Sequence, residues 1–563
     1  MPIYYIDNNR GNNANTGLSP AQAWKSLSQI AATTGATAGD AFLLADDSEW
    51  VLGPTERIAP PTSWTGQENS PVVIGKYSPS SQSIGQYPFI QWYRQTVPSD
   101  WTYNAGLNGW TYAWPTNHIN KAALVRIADT WLANATDQAF GTAVASVDGR
   151  YNPLVDSQTL LLYAPAGQNP VAYYGSVLVS AQASGAIVLS SGRRWVTVQD
   201  IEFRNTGCGV SMFSGDANPA GFVVQRCRGK TVGSLAFISG QSSGNLKAWV
   251  SDCDVRDFGA TALQVNATGG AGITYAEISD NRIDDGVHQW AQGGIYIQGR
   301  NTARDTMVKV LRNEVSRCRR GTRDKAFDGC GIYAEIGADG VLIANNVIHD
   351  CFQAMQDNSG RRIYWYGNLV YNCRSAIRIS DESNAGQSDC RMVNNTLMIG
   401  DESQTATEFG NSTSGGDYPA FWMSSSDDPL SLTAWNNIIV NTGGARARAV
   451  FGLPATYLSS TYSINKNWVF GFETDSLIGG TNGTPSPAPT VNNAGTTDPR
   501  PLLASGFVPK VLGTTTESSL ATDNPLALAG TYVQGVHLQN GRMRPGFCPV
   551  GAYQAVLPKA IRT

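Results

Sequence analysis

The stretch "NNVIHDC" (Asn345 to Cys351) sets a His, an Asp and a Cys side by side, as a reactive site would. Then "GNLVYNC" (Gly367 to Cys373) repeats the frame 22 residues on, without the His and the Asp. Seven more segments align with them: "DIEFRNT" (200–206), "RCRGKTV" (226–232), "DCDVRDF" (252–258), "DNRIDDG" (280–286), "RNEVSRC" (312–318), "NNTLMIG" (394–400) and "NNIIVNT" (436–442). The second position reads Ile201, Cys227, Cys253, Asn281, Asn313, Asn346, Asn368, Asn395, Asn437. The fourth is apolar in all but one segment, where it is Gly229. Successive second positions lie 22 to 42 residues apart. A short fixed unit parted by insertions of variable length is the pattern of a β-solenoid, in which each repeat is one coil.

Equivalent positions of successive coils stack at the strand spacing of about 4.7–4.9 Å. Stacked apolar residues then fill the interior, and stacked Asn side chains form an amide ladder. Cys318, Cys351 and Cys373 share one column and Cys227 and Cys253 another, where small, soft thiols pack well. They read as buried structural thiols. The paired spacings of a zinc site are missing, so no metal is expected. His349 reads as a surface residue.

Composition agrees. The 563 residues are 42% hydrophobic and 15% charged, with 59 Gly, which suits short strands and tight turns over a large core. Net charge is −4 with no clustered Lys or Arg, so nucleic acid is not an expected partner. No apolar run is long enough to span a membrane as a helix, and "MPIYYIDNNRG" (1–11) carries no signal-peptide pattern.

The repeat and its flanks resemble the right-handed parallel β-helix proteins of the pectate-lyase-like superfamily. "YYIDNNRGNNANTGLSPAQAWKSLSQI" (4–30) is similar to that group's opening of first strand, Gly/Asn loop and short capping helix, with Ser19 as N-cap and Pro20 as first helical residue. "SPVVIGKYS" (70–78) and "LVDSQTLLLYAPAGQNP" (154–170) look like early coils, and "DPRPLLASGFVPK" (498–510) and "RMRPGFCPVGAYQ" (542–554) like closing segments. The resemblance implies an all-β, right-handed, single-stranded parallel β-helix with an N-terminal capping helix and long loop insertions. Residues 1–78 cap and start it, and 79–190 are early coils with an aromatic-rich insertion, "QWYRQTVPSDWTYNAGLNGWTYAW" (91–114). That insertion reads equally as a sugar-stacking platform or as a hydrophobic cover. Residues 191–445 are the regular coils and 446–563 the loop-rich closing region.

A further strand follows each repeat segment: "GIYIQG" (294–299), "GIYAEIG" (331–337), "AMQDNSG" (354–360), "AIRISDES" (376–383) and "AFWMSSS" (420–426). Neighbouring side chains on a strand point to opposite faces. With Ile295, Ile332, Met355, Ile377 and Phe421 inward, Tyr296, Tyr333, Gln356, Arg378 and Trp422 form one outward column. Gln298, Glu335, Asn358, Ser380 and Ser424 form a second. Aromatic faces, amides and an Arg aligned in this way suit a sugar polymer.

The carboxylates nearby are Glu335, Asp357, Asp381 and Glu382. Alternation turns Asp357 inward, but at the strand end a turn can release it. Glu335 and the Asp381/Glu382 pair lie two coils apart, roughly 9–10 Å along the axis. That is close to the separation of about 6.5–9.5 Å in inverting glycosidases, while Glu335 and Asp357 on adjacent coils would stand nearer the roughly 5–5.5 Å of retaining ones. Glu335 is then the general acid and Asp381 or Glu382 activates water, or the two roles are exchanged. His288, on the loop before Tyr296, is a further substrate contact, and the loop 319–329 positions Arg323 or Asp328 over the groove.

The leading expectation is a glycoside hydrolase, favoured as inverting, that degrades a bacterial surface polysaccharide of capsule or O-antigen type without a cofactor. The resemblance extends to phage tailspike depolymerases, and so implies a virion-tail or extracellular location and a homotrimer. The alternatives are a polysaccharide lyase, with Arg378, His288 or Tyr333 as its working groups, and a non-catalytic glycan-binding spike.

Overall fold

Left-handed backbone corners give the repeat its shape. All nine first positions of the aligned segments, from Asp200 to Asn436, have φ between +51° and +63°. So do most sixth positions: Asn205, Thr231, Asp257, Asp285, Arg317, Asp350 and Asn372 lie between +50° and +62°. Those seven segments are therefore short strands bracketed by two corners. Asn and Asp tolerate this region because their short polar side chains bond locally. Where Arg stands there instead, a carboxylate one coil away holds it. Arg226 grips Asp200 through two hydrogen bonds of 2.9 Å, and Arg312 grips Asp280 through bonds of 2.9 and 2.7 Å. The one glycine, Gly367, has φ +63°, and a Cβ there would lie 2.7 Å from Asn345 Oδ1. Gly367→Val is expected to cost about 1–2 kcal/mol, the left-handed penalty for a residue with a Cβ, read as a lower unfolding midpoint. Gly367→Asn is expected to cost less.

The computed structural model describes residues 1–52, 57–79, 86–106, 109–113, 124–127, 130–131, 133–134, 150–154, 159–162, 164, 168–180, 185–190, 192–214, 219–241, 245–259, 261–268, 273–286, 293–299, 307–318, 329–335, 337–380, 389–399, 420–423, 431–441, 449–453, 462–472, 474–478, 492–495, 538–539 and 542–543. The corners fold the chain into three parallel sheets. The first runs from Ile3–Ile6 through Val196–Gln199 and Asn245–Ser251 to Tyr462–Phe470. The second begins at Glu49–Leu52 and takes in the repeat segments. The third begins at Ile187–Leu189 and carries the strands that follow them. From Val196–Gln199 to Thr474–Ile478 the coils visit the three in that order, and inward residues of all three form one continuous core. The chain thus folds as the expected all-β parallel β-helix.

Asn281, Asn313, Asn346, Asn368, Asn395, Asn437 and Asn467 form a buried amide ladder. Each Nδ2 of the first six donates to the next Oδ1 at 2.9–3.0 Å. The same Oδ1 also accepts the preceding Asn backbone N–H at 2.9–3.0 Å. The other amide hydrogen goes to a first-sheet carbonyl, such as Ile343 O for Asn368 at 2.9 Å. The ladder continues one rung past the aligned segments, to Asn467 in "KNWVF" (466–470).

The eight described cysteines are buried, with no disulfide among them. Cys351 touches Cys318 and Cys373, and both neighbours are held well above the ordinary thiol value. For Cys318 the Cys351 contact leads, and for Cys373 burial does. Thiols held protonated are poor nucleophiles and ligands.

At the N-terminus Ser19 holds the N-cap position of a single 3₁₀ turn, Pro20–Gln22, without a side-chain capping bond, and the following α-helix is only Ser28–Ala32. Within the insertion, Trp101–Asn104 and Gly109–Ala113 pair antiparallel, with Trp101 opposite Tyr112. Those two rings are buried 5.4 Å apart, and Trp101 Nε1 donates to Thr96 at 3.0 Å, so they pack within the insertion itself. The closing segments 498–510 and 542–554 lie outside the described residues, save Arg542 and Met543.

Candidate active site

The third sheet pairs the outward residues as alternation requires. Tyr296, Tyr333, Gln356, Arg378 and Trp422 stand in one register column. Gln298, Glu335, Asn358 and Ser380 stand in the other. Both columns extend to earlier coils. Phe237 and Gln264 precede Tyr296, while Phe213, Ser239 and Asn266 precede Gln298. The signal for these was in the sequence, because "LQVN" (263–266) has the same frame as "IYIQ" (295–298) and "IYAE" (332–335).

Facing outward does not make every wall residue accessible. Tyr296, Tyr333, Gln356, Asn358 and Arg378 are buried, while Phe213, Phe237, Gln264, Asn266, Gln298 and Glu335 are partly exposed. The buried members pack on one another. The Tyr296 and Tyr333 rings meet edge-on at 5.4 Å, and Asn358 Nδ2 donates to the Tyr333 hydroxyl at 3.2 Å. Cys330 Sγ lies 3.2 Å from Gln356 Oε1 and 3.6 Å from Gln353 Oε1. Cys330 belongs to this outer face because Gly331 and Ile332 both turn inward: a Cβ at Gly331 would press on Ile348, and Ile332 is fully buried. Two inward residues in succession break strict alternation.

Glu335 is held at the centre of this network. The Tyr333 hydroxyl reaches its Oε1 and Gln298 Nε2 its Oε2, both at 3.3 Å. Asn358 therefore orients Tyr333, and Tyr333 and Gln298 orient the Glu335 carboxyl from two sides. The buried Asn266 Oδ1 and Gln356 Nε2 find no hydrogen-bond partner among the described residues. Such atoms ordinarily find a water or a ligand.

Asp357 leaves the groove. It follows strict alternation into the coil interior and is fully buried. Its Oδ1 accepts the Gly360 N–H at 2.9 Å, closing the turn after the strand, and its Oδ2 lies 3.9 Å from Cys390 Sγ. The turn that was expected to release this carboxylate instead binds it. A carboxyl pair on adjacent coils, with Glu335 beside Asp357, is thereby removed. Asp381, Glu382, His288, Ser424, Arg323 and Asp328 lie outside the described residues, as does the side chain of Trp422. Among the described residues no group of three or more His, Cys, Asp or Glu is placed to hold a metal ion, and no helix is long and apolar enough to cross a membrane.

His349 belongs to the second sheet and is mostly buried, not a free surface residue. Its ring stacks on Tyr371 at 4.7 Å, with Nδ1 2.6 Å from Asp350 and Nε2 3.5 Å from Glu314. Burial disfavours the charged ring, yet the Glu314 and Asp350 carboxylates outweigh it and lift His349 above its ordinary 6.5. The His349 contact, against burial, pulls Glu314 below its ordinary 4.5. A raised His stabilises fully below 6.5 and loses that contribution as pH climbs through its folded value. A lowered Glu keeps its contribution above 4.5 and loses it on acidification through its folded value. His349→Gln should therefore lower the denaturation midpoint most between about pH 4.5 and 6.5, with a shrinking difference at alkaline pH. A difference that grew above pH 8 would contradict the pairing.

The right-handed β-helix region family matches residues 184–369 and 234–483, together more than half of the chain, and the chain belongs to that family. Among solved structures it is similar to XylC in complex with xylose, at 12% identity over 86% of each chain with a TM-score of 0.53. It is also similar to pectate lyase Pel9A, at 12% identity over 98% of this chain and 96% of that one, with a TM-score of 0.42. A lacto-N-biosidase of family GH136 from Eubacterium ramulus is 13% identical over 84% of this chain and 68% of that one, with a TM-score of 0.38. At such identities the likeness is one of fold. No curated protein sequence matches the chain.

Proposed function

We propose that the chain is a polysaccharide-degrading enzyme that binds its glycan along the outer face of the third sheet. The observation that carries this reading is Glu335, a partly exposed carboxylate oriented by Tyr333 and Gln298 within a strip of amides and aromatic rings. Amides match sugar hydroxyls, rings match the C–H faces of pyranoses, and a held carboxyl can transfer a proton at the glycosidic oxygen. In the favoured scheme the enzyme is an inverting glycoside hydrolase. Glu335 protonates the leaving oxygen and Asp381 or Glu382, two coils on, activates water. The inward turn of Asp357 supports the wider, inverting spacing over a pair on adjacent coils. A bacterial capsule or O-antigen substrate, a virion-tail or extracellular setting and a homotrimer belong to the same proposal.

One observation favours a second reading, a polysaccharide lyase. Arg378 stands in the same column as Tyr333, two coils away, and the Tyr333 hydroxyl already bonds a carboxylate. An Arg that neutralises a uronate beside a Tyr–Glu pair that takes a proton is a β-elimination arrangement. The test is digestion of a panel of capsular and O-antigen polysaccharides. New reducing ends without the ultraviolet absorbance of an unsaturated uronate are expected. Reducing ends with that absorbance would move the assignment to a lyase, and binding without new ends would leave only a glycan-binding spike.

A further inference from the structure

A second set of aromatic side chains stands on the outer face of the first sheet. Trp195 immediately precedes the strand Val196–Gln199 and has φ +50°. A bulky aromatic is disfavoured in a left-handed backbone, and such outliers are kept where the surroundings enforce them. Here the conformation lays the indole flat on the next coil. Gly221 lies under it, and any Cβ at position 221 would collide with the ring. Trp249, on Asn245–Ser251, continues the surface with its centroid 6.0 Å from that of Trp195 and the planes 27° apart. Tyr275, on Ile273–Ser279, adds a third ring 5.6 Å from Trp249. All three are partly exposed. The rings are too close for a ligand to slide between them, so a ligand lies on top.

Polar groups rim this platform. Lys247 Nζ is 6.0 Å from the Trp195 ring centre and Lys309 Nζ is 5.2 Å from that of Tyr275, while Glu277 accepts from the Tyr275 hydroxyl. An open cleft of ≈160 Å³ lies beside the two indoles, lined also by Glu68 and Pro71. Drug-sized pockets run to about 300–1,000 Å³, so this one has room for a single small ring.

We infer that the Trp195–Trp249 cleft is a second glycan-binding site, on a different sheet from the groove, that takes one pyranose unit of a polysaccharide. The indoles stack on the C–H face of the sugar, and Glu68 and Lys247 take its hydroxyls. A ring-sized cleft with charged groups at its rim fits a sugar better than the flat apolar face of another protein. Binding here does not require Glu335, so this site would survive a failure to find cleavage in the groove.

The test is ¹⁹F NMR of the full chain labelled with fluorotryptophan, with Trp195 and Trp249 assigned through Trp195→Phe and Trp249→Phe. The probes are xylohexaose, cellohexaose and hexagalacturonate. Saturable shifts of both resonances are expected with at least one probe, unchanged in Glu335→Gln. Trp249→Ala, at an unaltered unfolding midpoint, is expected to abolish the shift at Trp195. Resonances that stay fixed with all three probes would overturn the inference. So would a chain that is oligomeric by sedimentation and becomes monomeric in Trp249→Ala, because the face would then belong to a second copy.

Discussion

Glu335→Gln is expected to lower polysaccharide cleavage by about 10²–10⁴-fold, the range that a positioned proton-transfer group supplies. The substitution keeps the side-chain shape, and Gln can still accept from the Tyr333 hydroxyl at Oε1. What it removes is the transferable proton and the charge. Folding and glycan retention are expected to remain at the level of the unsubstituted chain. Tyr333→Phe is expected to have a smaller effect, because Tyr333 positions the carboxyl and Gln298 still holds it from the other side. Full activity in Glu335→Gln would remove this residue from the chemistry, whatever the fold.

The largest loss of stability is expected at the amide ladder. Asn368 sits in its middle and holds four hydrogen bonds through its side chain. Its Oδ1 accepts the N–H and Nδ2 of Asn346 at 3.0 Å each, and its Nδ2 donates to Ile343 O at 2.9 Å and to Asn395 Oδ1 at 3.0 Å. Asn368→Ala strands two donors in a dry interior, at about 1–3 kcal/mol each. The two acceptors also lose a partner. A total of about 3–5 kcal/mol is expected, large enough to stand out among single substitutions. The check is the denaturant midpoint beside that of Asn372→Gly, at an exposed corner of the next turn where only a small change is expected. Equal midpoints for the two would mean that the ladder does not hold the coils together.

The parts of the molecule that stack were legible in the sequence. A column position repeats its physical demand in every coil, so Asn346, Ile348 and Cys351 identify themselves by what stands above and below them. The same logic placed Tyr296, Tyr333, Gln356 and Arg378 opposite one another, residue for residue. What escaped was whatever one strand cannot express alone. Burial of the wall tyrosines depends on side chains from several coils closing over each other. The outward face of Cys330 depends on Gly331 and Ile332 both turning in. Asp357, turned inward by alternation, is kept there by a bond from the Gly360 N–H that only the turn geometry reveals. Phe213, Phe237, Gln264 and Asn266 were missed for a simpler reason. Their strands have the same frame, but they precede the segments in which Asn makes the repeat obvious. Asp381, Glu382 and His288 stand where the sequence no longer repeats from one segment to the next, so the stacking argument does not reach them.

The central claim is that a glycan lies along the third sheet with its scissile bond at Glu335. A crystal structure of the Glu335→Gln chain with bound oligosaccharide tests it most directly. Sugar rings are expected to span Asn266, Gln298 and position 335, with a glycosidic oxygen within about 3 Å of the side chain there, hydrogen-bond reach for proton transfer. Sugar bound only elsewhere, with the wall around Gln298 and position 335 untouched, would contradict it.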